Sequence, residues 1–387
     1  MPLKVDHYEG REQSYIKHLF LQKYLENAAY KLFQGRSPVF NFVDAFAGLW
    51  RNTDTTSQAD TSFALALSTL EDVRRILEGI GRRDLKIRFR FCERSPASFV
   101  KLQSFAAENS NFDIKVFCGA FEDNLAPIEA ECRDISGSFT FTFIDPTGWD
   151  VDSGPIFAFL KALRGEVLFN FMSEHVNRHA GWDGVAASVG RFLADPDWRS
   201  AFEALPAGPN EEKILKLLKS KMKEAGAATW LPDFAIRKPR ENRIKMRLIL
   251  GTHSAHGVEV FRTVQEKVEK EGFRVRQNIR TNESRQPSLS DELFIELDAS
   301  REGVGSPSNV GWGTETLLQA VSARPGIAFE RLAADVMEQA PLRTPHLNRI
   351  VRDQRKAGLL RFDLPPGKRT PSSDTKIWPV HERPSRL

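Results

Sequence analysis

Cysteine is scarce in this 387-residue chain, which holds only 3. Cys92, Cys118 and Cys132 form no CxxC unit, which excludes a disulfide framework and a cysteine metal site. Cys92 and Cys118 fall in apolar, strand-like runs, where a free thiol is expected to act as a small buried hydrophobe. Long apolar stretches are missing too. No window approaches the roughly 20 apolar residues needed to cross a bilayer, and the opening MPLKVDHYEGREQSY lacks the apolar centre of a secretory signal. A cytoplasmic protein without a membrane span is therefore expected. Neither sign of charge dominates, since the net charge is +4. The glycine pattern GxGxxG, which holds a pyrophosphate, is absent, as is the phosphate loop GxxxxGK[ST]. A dinucleotide oxidoreductase and a P-loop ATPase are both disfavoured. No internal repeat is visible.

What is present is an ordinary globular composition, 41% hydrophobic and 27% charged. The length suits one large domain and a smaller one, because single cores stop growing near 250–300 residues. Residues 12–33 space apolar side chains at helical intervals, and VFNFVDAF follows as a strand buried on both faces. Strands expected at 87–93, 113–118, 138–145 and 166–171 alternate with helices at 62–79, 95–107, 121–132 and 154–163. Such alternation implies an α/β fold with a doubly wound parallel sheet, since each parallel return needs a crossover. Polar, helical sequence from about 176 to 240 reads as an insertion, and IKMRLILGT at 244–252 as one more strand followed by a helix at 257–271. Residues 1–275 are expected to form this domain, 276–311 a linker or irregular extension, and 312–387 a winged-helix-like domain of three helices and a hairpin. The last 87 residues carry 14 Lys and Arg against 9 Asp and Glu. Arg349, Arg352, Arg355 and Lys356, with Arg343 just before them, lie on or beside the third of these helices, which enters the major groove in helix-turn-helix proteins. Nucleic acid is thus a candidate partner.

Ligands of open parallel sheets bind beyond the carboxyl ends of the strands, and polar residues fall at these ends. The first strand ends in Asp44 and runs into Phe46, Ala47 and Gly48, where the missing Cβ lets backbone amides approach a ligand. The second ends in Glu93, followed by Arg94; a carboxylate there can accept two hydrogen bonds from a ribose diol. The third leads to Ala120 and Phe121, which can hold an adenine, and the fourth to Asp145 and Pro146. Gly48 is followed by Leu49 and Trp50 rather than by further glycines. A cofactor with a positive sulfonium and no phosphate suits this carboxylate-rich turn better than a dinucleotide.

The strings KHLFLQKYL at 17–25, FNFVDAFAG at 40–48, FIDPTGW at 143–149, GEVLFNFM at 165–172 and LILGTHSAHGVEVF at 248–261 resemble the three-Cys-motif partner protein family (TcmP). The resemblance covers roughly residues 14–275. It implies a class I, Rossmann-like methyltransferase sheet, S-adenosyl-L-methionine as cofactor and a radical-S-adenosylmethionine-like protein with three cysteines as partner. Ser62 takes the place of a helix-opening serine that helps hold the methionine end of the cofactor. Lys17 and His18 are similar to a Lys-His pair in a methyltransferase that modifies an exocyclic adenine nitrogen of large ribosomal RNA, where the histidine lies near the cofactor. Asp145-Pro146-Thr147-Gly148 resembles the DPPY motif of amino-group methyltransferases, with Asp145 and Pro146 accepting the target N–H bonds and Thr147 and Trp149 placed toward the base. Glu174 and His175 are expected at the rim. The resemblance thus implies N-methylation of a nucleobase or nucleic-acid-related substrate; the alternative is a non-catalytic, methyltransferase-like partner that docks a radical enzyme or nucleic acid.

Overall fold

The computed structural model describes residues 3–35, 39–48, 60–82, 85–146, 148–174, 176, 183–239, 241, 243–284, 291–364 and 367–380. The chain divides into two compact units, Met1–His253 and Ser254–Leu387. No described helix is long and apolar enough to cross a membrane.

The first unit is a three-layer α/β structure. Strands β1 (Val39–Asp44), β2 (Lys86–Glu93), β3 (Asp113–Cys118), β4 (Phe139–Ile144), β5 (Gly165–Phe171), β6 (Asp233–Arg237) and β7 (Ile244–Gly251) form one sheet in the order β3-β2-β1-β4-β5-β7-β6. The first five run parallel, and β7 runs antiparallel to both β5 and β6. The parallel pairs are bridged by helices α2 (Ser62–Gly79), α3 (Pro96–Glu108), α4 (Leu125–Arg133) and α5 (Ser153–Ala162), while α1 (Glu12–Gln34) precedes the sheet. All six residues of β1 and of β4 are buried, as expected for central strands covered on both faces.

The two faces divide the aromatic residues. Phe42 stacks on Phe141 at 6.2 Å, Tyr24 of α1 meets Phe141, and Phe63 of α2 meets Phe91. Val43, Cys92, Ile144 and Phe169 point the other way, into a core shared with α4, α5 and the helices that follow β5. Gly165 marks the tightest approach in the sheet: a Cβ there would lie 1.9 Å from the Thr140 carbonyl oxygen. Only glycine lets β5 begin so close to β4.

Several expectations are corrected here. The stretch from about 176 to 240 does contain helices, α6 (Ala186–Leu193), α7 (Trp198–Ala204) and α8 (Asn210–Glu224), but it also contains β6, the sheet's edge. That strand is short and only alternately buried, so it lacks the continuous apolar run of β1 or β4. Cys118 is exposed rather than buried, because β3 is the opposite edge strand and its end is uncovered.

The domain break also moves. Residues Ala255–Ser284 form one helix, α9, which belongs to the second unit, so the sheet unit ends near His253 rather than at 275. The reason is packing: Val258, Phe261, Val264 and Val268 are buried, and the fully buried Arg262 donates to the Met337 and Glu338 carbonyls at the end of a later helix. The expected irregular stretch at 276–311 is helical over α10 (Asp291–Glu302) and from the start of α11 (Pro307–Ala323). Ser306 caps α11 and Pro307 occupies its first turn, a start signal that composition alone reads as loop. The unit is completed by β8 (Ile327–Ala328), α12 (Phe329–Gln339), α13 (Thr344–Lys356), β9 (Leu360–Arg361) and β10 (Lys376–Pro379), whose strands pair antiparallel in the order β8-β10-β9.

Candidate functional site

At the carboxyl ends of β1, β4 and β5, on the α1 side of the sheet, lies a cleft of about 280 Å³. Lys17 and His18 of α1, Phe46 and Gly48 after β1, Ser62 at the start of α2, Asp145 and Pro146 after β4, and Asn170 of β5 all line it. Because β7 is reversed, its first residues reach the same end of the sheet and add Lys245 and Met246.

Asp44 is completely buried. One of its oxygens accepts from the Phe46 amide at 3.1 Å and the other from the Ser62 hydroxyl at 2.6 Å. Burial drives its pKa up to about 7, against the lowering effect of those two donors. Ser62 is held for this task by the helix start, where Thr61 caps α2 by accepting from the Ala64 amide. The turn itself is fixed by the backbone, with the Ala47 amide bonded to the Cys92 carbonyl and the Gly48 amide to that of Phe46.

Asp145 lies in a different setting. Lys17 Nζ makes a very close ion pair with one oxygen, and Asn170 Nδ2 donates to the other at 2.6 Å. Burial opposes ionisation most strongly, yet the Lys17 charge, its hydrogen bond and the Asn170 donor outweigh it and hold the pKa below the ordinary carboxylate value. The carboxylate is therefore ionised, and its side chain keeps 22% of its surface. Each of its oxygens retains acceptor capacity, because a carboxylate offers about four lone-pair positions.

His18 sits beneath this pair. Its Nδ1 lies 2.9 Å from the Tyr8 hydroxyl, and burial together with the neighbouring Lys17 lowers its pKa to about 3. The imidazole is neutral at physiological pH, so it can donate or accept a hydrogen bond without adding charge. Arg11 and Asp60, joined at 3.1 Å, close one side of the cleft.

The remaining expected residues scatter. Glu93 is buried at the end of β2 and accepts from the Ser95 amide at 2.6 Å, and Ala120 follows the positive-φ Gly119 after β3; neither lines the cleft. Ala47 is buried behind the turn. Arg94 is turned to solvent, paired with the equally exposed Asp150 at 2.6 Å. Phe121 and Trp149 are corrections: both rings are buried, packing edge-on against Phe159 and Phe192 respectively. They fill the core on the opposite sheet face, where their large apolar area is best spent. Thr147 and His175 lie outside the described residues, as do Leu49 and Trp50.

Glu174 is almost fully buried among Lys238, Arg243 and Lys245. Burial favours its neutral form, but the hydrogen bonds from Lys238 and Lys245 overcome it and bring the pKa to about 2. Its role is to gather cations beside the cleft. Arg11, Asp60, Asn170 and Lys245 were not foreseen from sequence. Only Asn170 left a signal, as the one amide inside the apolar run EVLFNF.

Two charge types thus meet in one concave space: the carboxyl groups of Asp60 and Asp145, and the cations of Arg11, Lys17 and Lys245, while Asp44 is buried behind Ser62 and does not line it. The arrangement can bind a zwitterion and accept hydrogen bonds from an amino group. No protein-family model matches the chain, and no curated protein matches it.

Proposed function

We propose that this chain is an S-adenosylmethionine-dependent methyltransferase that methylates an amino nitrogen, with a nucleobase as the substrate class. The observation that carries the reading is the ionised Asp145, held between Lys17 and Asn170 and facing the same cleft as Ser62, whose hydroxyl donates to the buried Asp44. Sheet order supports it as well, because a reversed strand between the last two parallel ones is the arrangement of class I methyltransferases.

The donor set fits the cofactor. An amino-acid end carries an ammonium and a carboxylate, and the cleft offers acids and bases together. Ser62, backed by the buried Asp44, would face the ammonium and sulfonium side, Arg11 and Lys17 the carboxylate, and Glu93 at the next strand end the ribose diol. When bound, the cofactor supplies an electrophilic methyl group on a positive sulfur. The protein's part is chiefly positioning. Asp145 and the Pro146 carbonyl would accept the two N–H bonds of the target and so turn the nitrogen lone pair toward the methyl group. Lys17 keeps Asp145 anionic and weakly basic, so Asp145 orients the amine, and the proton released after transfer passes to water. Neutral His18 would cap the site without repelling the sulfonium. A radical-S-adenosylmethionine-like protein is the partner proposed by the TcmP resemblance.

Calorimetric titration with S-adenosylmethionine is the test, with micromolar binding expected. Asp145→Ala should abolish methyl transfer to nucleic-acid acceptors while keeping cofactor affinity within a few-fold. Absence of binding heat, with the protein alone and with its partner, would overturn the assignment and leave a non-catalytic docking protein.

A further inference from the structure

The second unit carries charge in a different way from the first. On α13, Leu347, Ile350 and Val351 are buried and form its inner face. The outer face presents Arg349, Arg352, Arg355 and Lys356, all exposed, with 78% and 53% of the Arg349 and Arg352 side chains open to solvent. Spacings of three and four residues put Arg349, Arg352 and Lys356 on one stripe. Asp353 is the only acid on this face, 3.7 Å from Arg349 and 3.9 Å from Arg352. One carboxylate therefore stands against four cations.

The segments that follow α13 carry further cations. The connection from β9 to β10 exposes Lys368 and Arg369 together with Asp363 and Asp374, and Arg361 and Lys376 are exposed on the two strands. Arg355 lies over the Phe362 ring at 4.7 Å and Arg361 over Trp378 at 5.3 Å, contacts that tether two guanidinium groups to the fold. Arg343, by contrast, is turned inward to Glu266 and Glu259 of α9. It belongs to the unit's internal framework and not to the outer stripe.

The sequence of elements, helix, strand, helix, helix, strand, strand, with the first strand paired to the last, is a winged-helix order. We propose that the outer face of α13, flanked by Lys368 and Arg369, docks in the major groove of duplex DNA and contacts the adjoining phosphates. The occupant follows from charge and from shape. A helix with side chains is about 10–12 Å across and the B-form major groove about 12 Å wide, whereas the major groove of duplex RNA is too deep and narrow for side chains to read. This surface stands on the second unit alone and does not depend on methyl transfer.

Fluorescence anisotropy of the full chain with a labelled DNA duplex of about 20 base pairs, over a series of salt concentrations, tests the assignment. Arg349→Ala with Arg352→Ala should weaken binding at least tenfold and flatten the slope of log affinity against log salt by roughly 2. Asp353→Asn should act in the opposite direction, strengthening binding about threefold by removing the one acid on α13. Circular dichroism of each variant should match the parent, since no buried residue of α13 is touched. No binding by the parent, an unchanged salt slope in the double variant, or tighter binding to duplex RNA of the same sequence would each overturn the assignment.

Discussion

Asp44 and Asp145 stand at the ends of adjacent strands of one sheet, Asp145 lining the cleft and Asp44 buried behind Ser62, and their surroundings drive them in opposite directions. Asp44 is buried with two neutral donors and is pushed up to about 7. Asp145 has an ammonium against it and stays below the ordinary range. The difference shows that position at a strand end sets where a carboxylate goes, whereas the partner sent by another element sets its charge. For Asp44 the partner is Ser62 of α2. For Asp145 it is Lys17, from the helix that precedes the whole sheet.

The largest effect should come from removing that ammonium. Lys17→Met leaves the Asp145 charge uncompensated and should cost about 3 kcal/mol of stability in urea denaturation, because breaking a buried pair strands the survivor. Adding Asp145→Asn should restore much of the loss; an equally unstable double variant would mean that Lys17 acts through packing alone. A second test uses pH. The folded pKa of Asp44 is raised above its unfolded value of 3.8, so its contribution is fully present below that value and is lost as pH rises toward about 7. Asp44→Asn should remove this decline, so that the variant's stability no longer falls between the acidic and neutral ends of the window. Asp145 works in the other sense, its contribution being present above 3.8 and lost as acid protonates it. The smallest effect belongs to Ser62→Ala, expected at about 1 kcal/mol. It should raise the Asp44 pKa further, which carboxyl carbon shifts in an NMR titration would register; an unmoved titration would break the contrast between the two acids.

Much of this arrangement could be read before any coordinates. The buried runs around Val39–Asp44 and Phe139–Ile144 announce central strands, and the polar residues that stop them fall where the cleft opens. Two kinds of information were not legible. An aromatic ring beside a turn looks the same whether it faces a ligand or the core, so Phe121 and Trp149 were placed at the site although the α5 side of the sheet claims them. Pairings across long stretches of chain, such as Arg11 with Asp60 or Lys245 with Glu174, leave no periodic trace, and the second depends on the reversal of β7. The second unit failed at its border for a similar reason, since α9 has the helical pattern of a crossover helix and only the buried Arg262 reveals which core it serves.

The strand order has a consequence for synthesis. β1 leaves the ribosome early and gains β2 on one edge soon afterwards, but its other edge must wait for β4, which follows two more helices and another strand. During that interval a phenylalanine-rich strand has open backbone donors and acceptors, a template for pairing with other chains. A nascent or truncated chain that stops short of Phe139 is therefore adhesive along β1, and arrival of β4 both covers that edge and brings in Asp145, so the step that closes the open side of β1 also supplies the site's acid.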